Sequence, residues 1–365
     1  MQIKNISQKS FLKDLGRFAE KSGSFCRVVG GPVRDAILNR RTEDIDVISE
    51  NDCLPLAKYC AKKYKGTLLR FDSFGTIRVT FPKERKIDFA RTRCEIYKKP
   101  AVLPKVFPAA LEKDLFRRDF TVNAMAMSIN PENFGELNDP FNGLKDIKNK
   151  TLKILHDKSF QDDPTRLYRV CRFAGRFGWK LDKKTEKLFK EAVRKKYPNL
   201  LSCERVRNEL LAILKEKNPK RIFNVMREYD LLRFIFPNLK WSQSISKSED
   251  VFIRLGILAC KTKNGLEFLK SLNLERKVFL ELKTAVEINK QKQSPINKIS
   301  KDVKKIIFCC NPGLPKIALE PLRMTGNDLK KMGLKPGPKF SKILQKSAKL
   351  QWRGIRHLSP PLTRL

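Results

Sequence analysis

The period of hydrophobic alternation changes once along this chain of 365 residues, and that change sets its architecture. Up to about residue 150, short runs rich in β-branched residues (CRVVGG, DIDVIS, TIRVTF and KIDFAR) alternate with PVRDAILN and LPLAKYCAKKY, whose apolar residues recur at helical spacing. Strand-length runs separated by helical segments predict an α/β region. From about Ser159 the β-branched alternation is gone, and PTRLYRVCRFAGRF, KTEKLFKEAVRKK and ERVRNELLAILKEK carry the three- and four-residue spacing of amphipathic helices. The remainder is therefore expected to be all helical. This length exceeds what one hydrophobic core usually organises, and three parts are expected: an α/β part over 1–150 and helical parts over 151–240 and 241–365. Pro140, Gly143 and the residues up to Lys150 make the expected hinge. The polar WSQSISKSED marks a softer boundary at 241–250, SPINKIS another, and NPGLP at 311–315 precedes a last basic helical segment.

Charge narrows the partner. Lys and Arg number 78 against 39 Asp and Glu, a formal charge of +39. Solubility needs far less, so a polyanion is expected, and nucleic acid is the class that such an excess suits, with the helical part supplying most contacts. Nine cysteines form no CxxC pair, which suggests neither a zinc site nor a disulfide framework and fits a reducing cytoplasm. No apolar run reaches membrane-spanning length, and Phe11, Leu12, Leu15 and Phe18 have the spacing of an amphipathic helix rather than of a signal segment. A cytoplasmic protein without a membrane partner is expected. His156 and His357 are the only histidines, which disfavours an imidazole-built metal site or a Ser-His-Asp triad. Any metal must then be held by carboxylates, and hard oxygen ligands point to Mg²⁺.

Three segments carry candidate chemistry. In the first, Cys26 to Asp46 reads strand, Gly-Gly turn, helix, strand. Gly30 and Gly31 remove side chains at the turn, and Pro32 suits a first helical turn, leaving backbone N–H groups able to meet phosphate. Asp44 and Asp46, two residues apart in strand-like EDIDVIS, place both carboxylates on one face, with Ile45 and Val47 on the other. Taken alone such a pair is often an exposed edge face. Asp88 in KIDFAR is a third carboxylate of the same character, and three carboxylates beside a phosphate turn suit a two-metal site for phosphoryl transfer. In the second segment, RRDFTVNAMA, Arg117 and Arg118 offer guanidinium forks to phosphate and Asp119 can accept from a ribose hydroxyl; the alternative is a surface ion-pair set. In the third, Arg166, Arg169, Arg172 and Arg176 form one basic stripe on a helix beginning near Asp163, with Leu167, Val170, Phe173 and Ala174 facing the core. The plainer reading is a solvated face with Asp162 and Asp163 as caps. Near the C-terminus Lys339, Lys342 and Lys346 share a helix face suited to backbone phosphates, or simply to solvent.

Together these residues carry a resemblance. GGPVRDAILNRRTEDIDV, then KIDFARTR, LFRRDFTVNAMA, DPFNGLKDI, FQDDPTRLYRVCRFAGRFG and SCERVRNELL follow one another over roughly the first 210 residues, and this ordered set resembles the class II tRNA nucleotidyltransferase and bacterial poly(A) polymerase family. MTGNDLKKMGLKPGPKFSKIL is similar to a tail motif seen in many members. The resemblance implies a polymerase-β-like α/β head followed by an all-α neck, body and tail. It implies that Gly30, Gly31 and Arg34 meet the triphosphate, that Asp44 and Asp46 bind the metals, and that Arg117, Arg118 and Asp119 contact triphosphate and sugar; Asp88 is expected to complete the catalytic set by the carboxylate reading above. Asn123 is implied in preferring ribose, and Asp162, Asp163 and Arg166 in reading the base, with Arg169 and Arg172 beside the nucleotide. Asn39 stands where Gly is usual, and Asp162 where Glu is. The implied activity is Mg²⁺-dependent transfer of AMP, CMP or both from ATP and CTP to the 3′ end of tRNA, with no organic cofactor and no obligate protein partner. Two alternatives are a poly(A) polymerase acting on general RNA 3′ ends and a catalytically idle RNA-binding protein; clustered carboxylates facing a polyanion argue against the latter. ARTRCEIYKKPAVLPKV resembles the form found in partial-adding enzymes, especially A-adding ones.

Overall fold

In the computed structural model, residues 9–42, 44–71, 75–82 and 85–355 are described; His357 lies outside them. The chain divides into two compact units, 1–200 and 201–365.

The first unit runs α1 (Lys9–Lys21), β1 (Cys26–Val29), α2 (Gly31–Ile37), β2 (Ile45–Ser49), α3 (Leu54–Lys63), β3 (Thr67–Phe71), β4 (Thr76–Thr80), β5 (Lys86–Arg91), β6 (Arg93–Ile96), β7 (Lys105–Pro108), α4 (Leu111–Phe116), β8 (Ala126–Ser128), β9 (Leu137–Asn138), α5 (Gly143–Lys148), β10 (Thr151–Leu152), α6 (Ser159–Asp162), α7 (Thr165–Phe177), β11 (Lys180–Leu181) and α8 (Lys183–Arg194). Seven strands form one mixed sheet in the order β3-β4-β5-β2-β1-β8-β9. β2 lies centrally, antiparallel to β1 and parallel to β5, so a strand covered on both faces needs apolar residues throughout. Asp46 is its one exposed position. Val29, Ile48, Leu111, Leu115, Ala124 and Ala126 pack into a buried cluster that joins β1, β2, β8 and α4, and so fixes the strand ends from which the functional side chains project.

The four expected strands and both expected helices of this region are present, whereas β3, β6, β7, β8 and β9 were not anticipated. Two expectations need correction. The part beyond 150 is not wholly helical, because β10 and β11 form a short parallel pair. The division between the two units also falls at 200, not at the expected joint around 140–150. Asp139 accepts from the N–H groups of Gly143 and Leu144 (2.7 and 2.9 Å) to start α5, and a Cβ on Gly143 would come 2.3 Å from the Thr121 carbonyl oxygen. Gly143 is there for close packing, and residues 151–200 belong with the sheet in the first unit.

The second unit contains α9 (Cys203–Lys215), α10 (Pro219–Glu228), α11 (Val251–Lys261), α12 (Gly265–Ser271), α13 (Arg276–Gln291), α14 (Lys301–Cys310), α15 (Gly326–Lys331) and α16 (Pro338–Trp352). Side-chain caps start α9 (Ser202), α11 (Asp250), α14 (Ser300) and α15, where Thr325 and Asp328 form a reciprocal capping box. Lys339, Lys342 and Lys346 are exposed on α16. No described helix is long and apolar enough to cross a membrane.

One buried cation organises this unit. Arg254, 3% exposed in the apolar helix α11, donates from Nε to the Ser248 carbonyl (2.5 Å) and from Nη1 to those of Leu214 (2.5 Å) and Glu216 (2.8 Å). It thereby satisfies the end of α9, where carbonyls lack intrahelical donors. Arg254→Met keeps the apolar stem but removes these donors, and is expected to cost about 3 kcal/mol because buried acceptors are left unpaired. Urea unfolding measures this; a loss below about 1 kcal/mol would contradict it.

Candidate active site

β1 ends at Val29, and Gly30 turns the chain with φ 79°, in the left-handed region. A side chain there would be strained, and its Cβ would stand 3.1 Å from Arg118 Nη1. Asn39, where Gly is usual, also has positive φ (54°), which Asn tolerates better than most residues. Arg34, one turn into α2, is buried. Its Nη1 donates to Asn123 Oδ1 (2.6 Å), Nε and Nη2 donate to Asp35 Oδ1 (2.9 and 2.8 Å), and the guanidinium lies over the rings of Phe173 and Phe177 (5.1 and 5.0 Å).

Asp44 immediately precedes β2 and Asp46 lies within it; both are exposed and line a cleft of about 570 Å³ that Gly30, Gly31 and Arg34 also border. The parallel register sets Asp46 beside Asp88, and the next strand sets Arg78 beside Asp88. Arg78 Nε and Nη2 then donate to the two Asp88 oxygens, both at 2.7 Å. Asp88 is thus engaged by a bidentate fork and does not line the cleft. Asp46 and Asp88 are register neighbours, while among the described residues no group of three or more His, Cys, Asp or Glu is placed to hold a metal ion. Asp46, though open to solvent at the cleft, sits deep among protein atoms. That burial pushes its carboxyl up, Arg118 pulls it down, and Asp88 and Asp44 push it further up.

Arg117, Arg118 and Asp119 follow α4 and are no surface ion-pair set. Asp119 is buried, takes Arg169 Nε and Nη2 on Oδ2 (2.9 and 2.6 Å) and Asn123 Nδ2 on Oδ1 (2.9 Å). A continuous polar chain therefore runs from the glycine turn through Arg34, Asn123 and Asp119 to Arg169 on α7. Burial alone would raise the Asp119 carboxyl, but Arg169 and Asn123 hold it at about 2. Because the folded value lies below the ordinary 3.8, the stability it confers is present above pH 4 and is lost as pH falls toward 2, roughly 2 kcal/mol in all. Urea midpoints between pH 2 and 6 for wild type and Asp119→Asn check this: the variant is expected to lose the Asp119 share of the slope, and parallel curves would refute it.

The stripe on α7 faces the cleft, not bulk solvent. Arg166, Arg169, Arg172 and Arg176 all line it, while Leu167, Val170, Phe173 and Ala174 are buried. Arg166 is itself buried. Its Nη1 donates to Ser159 Oγ (2.6 Å) and Nη2 to the Arg117 carbonyl (2.6 Å). Asp163 lines the cleft and also caps, its Oδ1 accepting from Thr165 N and Oγ1 (3.0 and 2.6 Å). Asp162 does not line the cleft; its Oδ2 is 3.9 Å from His156 Nδ1, and burial, then Arg166, holds that imidazole at about 4. Sequence reasoning missed Glu95 and Tyr97, which reach the cleft from just after Asp88, and Asp114, a buried acid in the short helix LEKDLF whose only signal is its charge.

A mixed sheet carrying a glycine turn, paired aspartates and an arginine-lined cleft defines a head domain of the poly(A) polymerase type. Residues 26–153 match the Poly A polymerase head domain model, and 178–242 match the probable RNA and SrmB-binding site of polymerase A. The chain is 40% identical to the A-adding tRNA nucleotidyltransferase of Geobacter sulfurreducens over 230 residues, 63% of this chain and 26% of that protein. It is 30% identical to the CCA-adding enzyme of Listeria monocytogenes over 286 residues, 74% of this chain and 68% of that one. The Thermotoga maritima CCA-adding enzyme complexed with tRNA-CCA superposes with a TM-score of 0.66 at 25% identity, over 100% of this chain and 97% of that one. The chain belongs to the tRNA nucleotidyltransferase and poly(A) polymerase family. It spans about a quarter of the length of its A-adding relative from Geobacter.

Proposed function

We propose that this chain transfers AMP from ATP to the 3′ end of a cytoplasmic tRNA, releasing pyrophosphate, and that no protein partner is required. The observation that carries this reading is the single cleft in which Asp44 and Asp46 face Gly30, Arg118 and the α7 arginines. Addition of the terminal A, rather than of CC or all of CCA, is favoured by the 40% identity to an A-adding relative and by the form of the segment between Asp88 and Arg117. The Poly A polymerase head match keeps general RNA 3′ ends as the second substrate reading.

Mg²⁺ fits the acidic pair. Asp44 and Asp46 both line the cleft and lie two residues apart, and Mg²⁺ is commonly held by one or two carboxylates with phosphate oxygens and water completing its shell. Asp44 and Asp46 would hold it, and when bound it would activate the attacking 3′-hydroxyl and stabilise the transferred phosphoryl group. Arg118 lines the cleft, and its Nη1, the atom beside Gly30, offers a donor to the phosphates. Asp163 and Arg166 present a carboxylate next to a guanidinium, complementary to the amino donor and ring-nitrogen acceptor of adenine or cytosine.

The test is extension of three tRNA transcripts, ending before CCA, after one C and after CC, with ATP and CTP offered singly and together. One added A on the CC-ended transcript alone supports the proposal. Added C would make it a CC- or CCA-adding enzyme, long A tails on any RNA a poly(A) polymerase, and no product with either nucleotide would leave an RNA-binding protein.

A further inference from the structure

We propose that Asp114 is the positioning residue that sets the Arg118 guanidinium, with Arg117 locked beside it, toward a triphosphate. This rests on the reading of the cleft as a nucleoside triphosphate site. Asp114 is 0% exposed, yet every oxygen it has is occupied. Oδ1 accepts from Arg117 Nε (3.0 Å), Arg117 Nη2 (2.8 Å) and the Arg93 N–H (3.2 Å), and Oδ2 accepts from Arg118 Nη2 (2.9 Å). Burial would raise such a carboxyl, and Arg118 and Arg117 bring it below its ordinary value, so it stays ionised.

Two adjacent arginines repel each other and, unheld, would sample many rotamers. One anion placed behind both removes each problem. Arg117 is gripped a second time by Glu95 Oε1 (2.7 Å), whose Oε2 accepts from Tyr97 (2.7 Å). Arg118 has no such second carboxylate among its hydrogen bonds. With Nη2 committed to Asp114, its buried Nε lacks a partner among the described residues and its Nη1 stands where a Cβ on Gly30 would be 3.1 Å away. A donor left unsatisfied inside a protein is costly, and in the same guanidinium Nη1 is the atom that stands beside the turn bordering the cleft. Asp114 does not reach the cleft, so it acts through the arginines and not on the nucleotide.

A merely structural acid would weaken every ligand alike, whereas a positioning acid affects phosphate recognition alone. Equilibrium binding of ATP and of adenosine to the full chain separates the two for wild type, Asp114→Asn and Asp114→Glu. In Asp114→Asn the ratio of ATP to adenosine affinity is expected to fall by roughly tenfold or more, from loss of charge-assisted bonds, with adenosine affinity within about threefold of wild type. Asp114→Glu, which keeps the charge but shifts it by one methylene, should lie between them. An unchanged ratio, or equal losses for both ligands, overturns the proposal. Should circular dichroism show Asp114→Asn unfolded, the ratio in Asp114→Glu decides by the same criterion. A wild-type chain that binds ATP no better than adenosine would overturn the triphosphate reading itself, a result distinct from a variant that retains the wild-type ratio.

Discussion

Alanine at Asp46 or Asp44 is expected to reduce nucleotide addition by about 10³-fold or more, some 4 kcal/mol of barrier, while leaving RNA affinity nearly unchanged. Both side chains are open to the cleft and neither is drawn off by a bidentate arginine, in contrast to Asp88. Removing either carboxylate should not disturb the sheet, because Asp46 is the exposed position on a strand whose other residues are buried, and Asp44 precedes that strand. RNA affinity should instead follow the overall charge of +39, which one lost acid hardly alters. Extension assays and filter binding on the same preparations measure both quantities. Retention of more than about a tenth of the rate, a loss under roughly 1.4 kcal/mol, would remove these aspartates from the chemistry.

Base choice supplies the second large effect. Uracil and guanine present a ring N–H and a carbonyl where adenine and cytosine present an acceptor and an amino group, so a carboxylate beside a guanidinium would meet them with unpaired groups. Each buried unpaired group costs about 1 to 3 kcal/mol, and two make discrimination on the order of 10²-fold or more. Asp163→Ala and Arg166→Ala are therefore expected to lose preference for ATP over GTP and UTP. The competing account is visible in the structure, since Asp163 caps Thr165. If capping is its whole role, Asp163→Ala lowers stability by roughly 0.5 to 2 kcal/mol and leaves base preference intact. Incorporation of all four nucleotides, at a temperature where each variant remains folded, tells these apart.

How far such residues can be read from the chain depends on whether their role is local. The Gly30 turn, the same-face Asp44 and Asp46 and the α7 stripe are properties of contiguous residues, so period and spacing expose them. The capture of Asp88 by Arg78 depends on the register of β4 against β5, which no single segment encodes. Asp114 was hidden for a related reason: its partners Arg117 and Arg118 are close in sequence, but it is buried where α4 lies against β6, whose Arg93 N–H reaches it. Pro140 and Gly143 misled because the same residue types serve a flexible joint and a tight backbone approach, and only the neighbour at Thr121 tells which. The three-residue β8, lying in apolar NAMAMSI, has too few residues to show a period of two.

The small parallel pair β10 and β11 bears on how the α7 wall of the cleft moves. Lys180 N–H donates to the Lys150 carbonyl (3.1 Å) and Asp182 N–H to that of Leu152 (3.0 Å), while Thr121 N–H donates to the Lys153 carbonyl (2.9 Å). The excursion that contains α6 and α7 is thus stitched shut where it leaves the sheet region and again where it returns. Helix α7 cannot peel away as an independent lid, because both stitches would have to open together. Its backbone amides should exchange with deuterium only when the first unit opens as a whole, and the ordering entropy of the arginine stripe is spent during folding, before any nucleotide arrives.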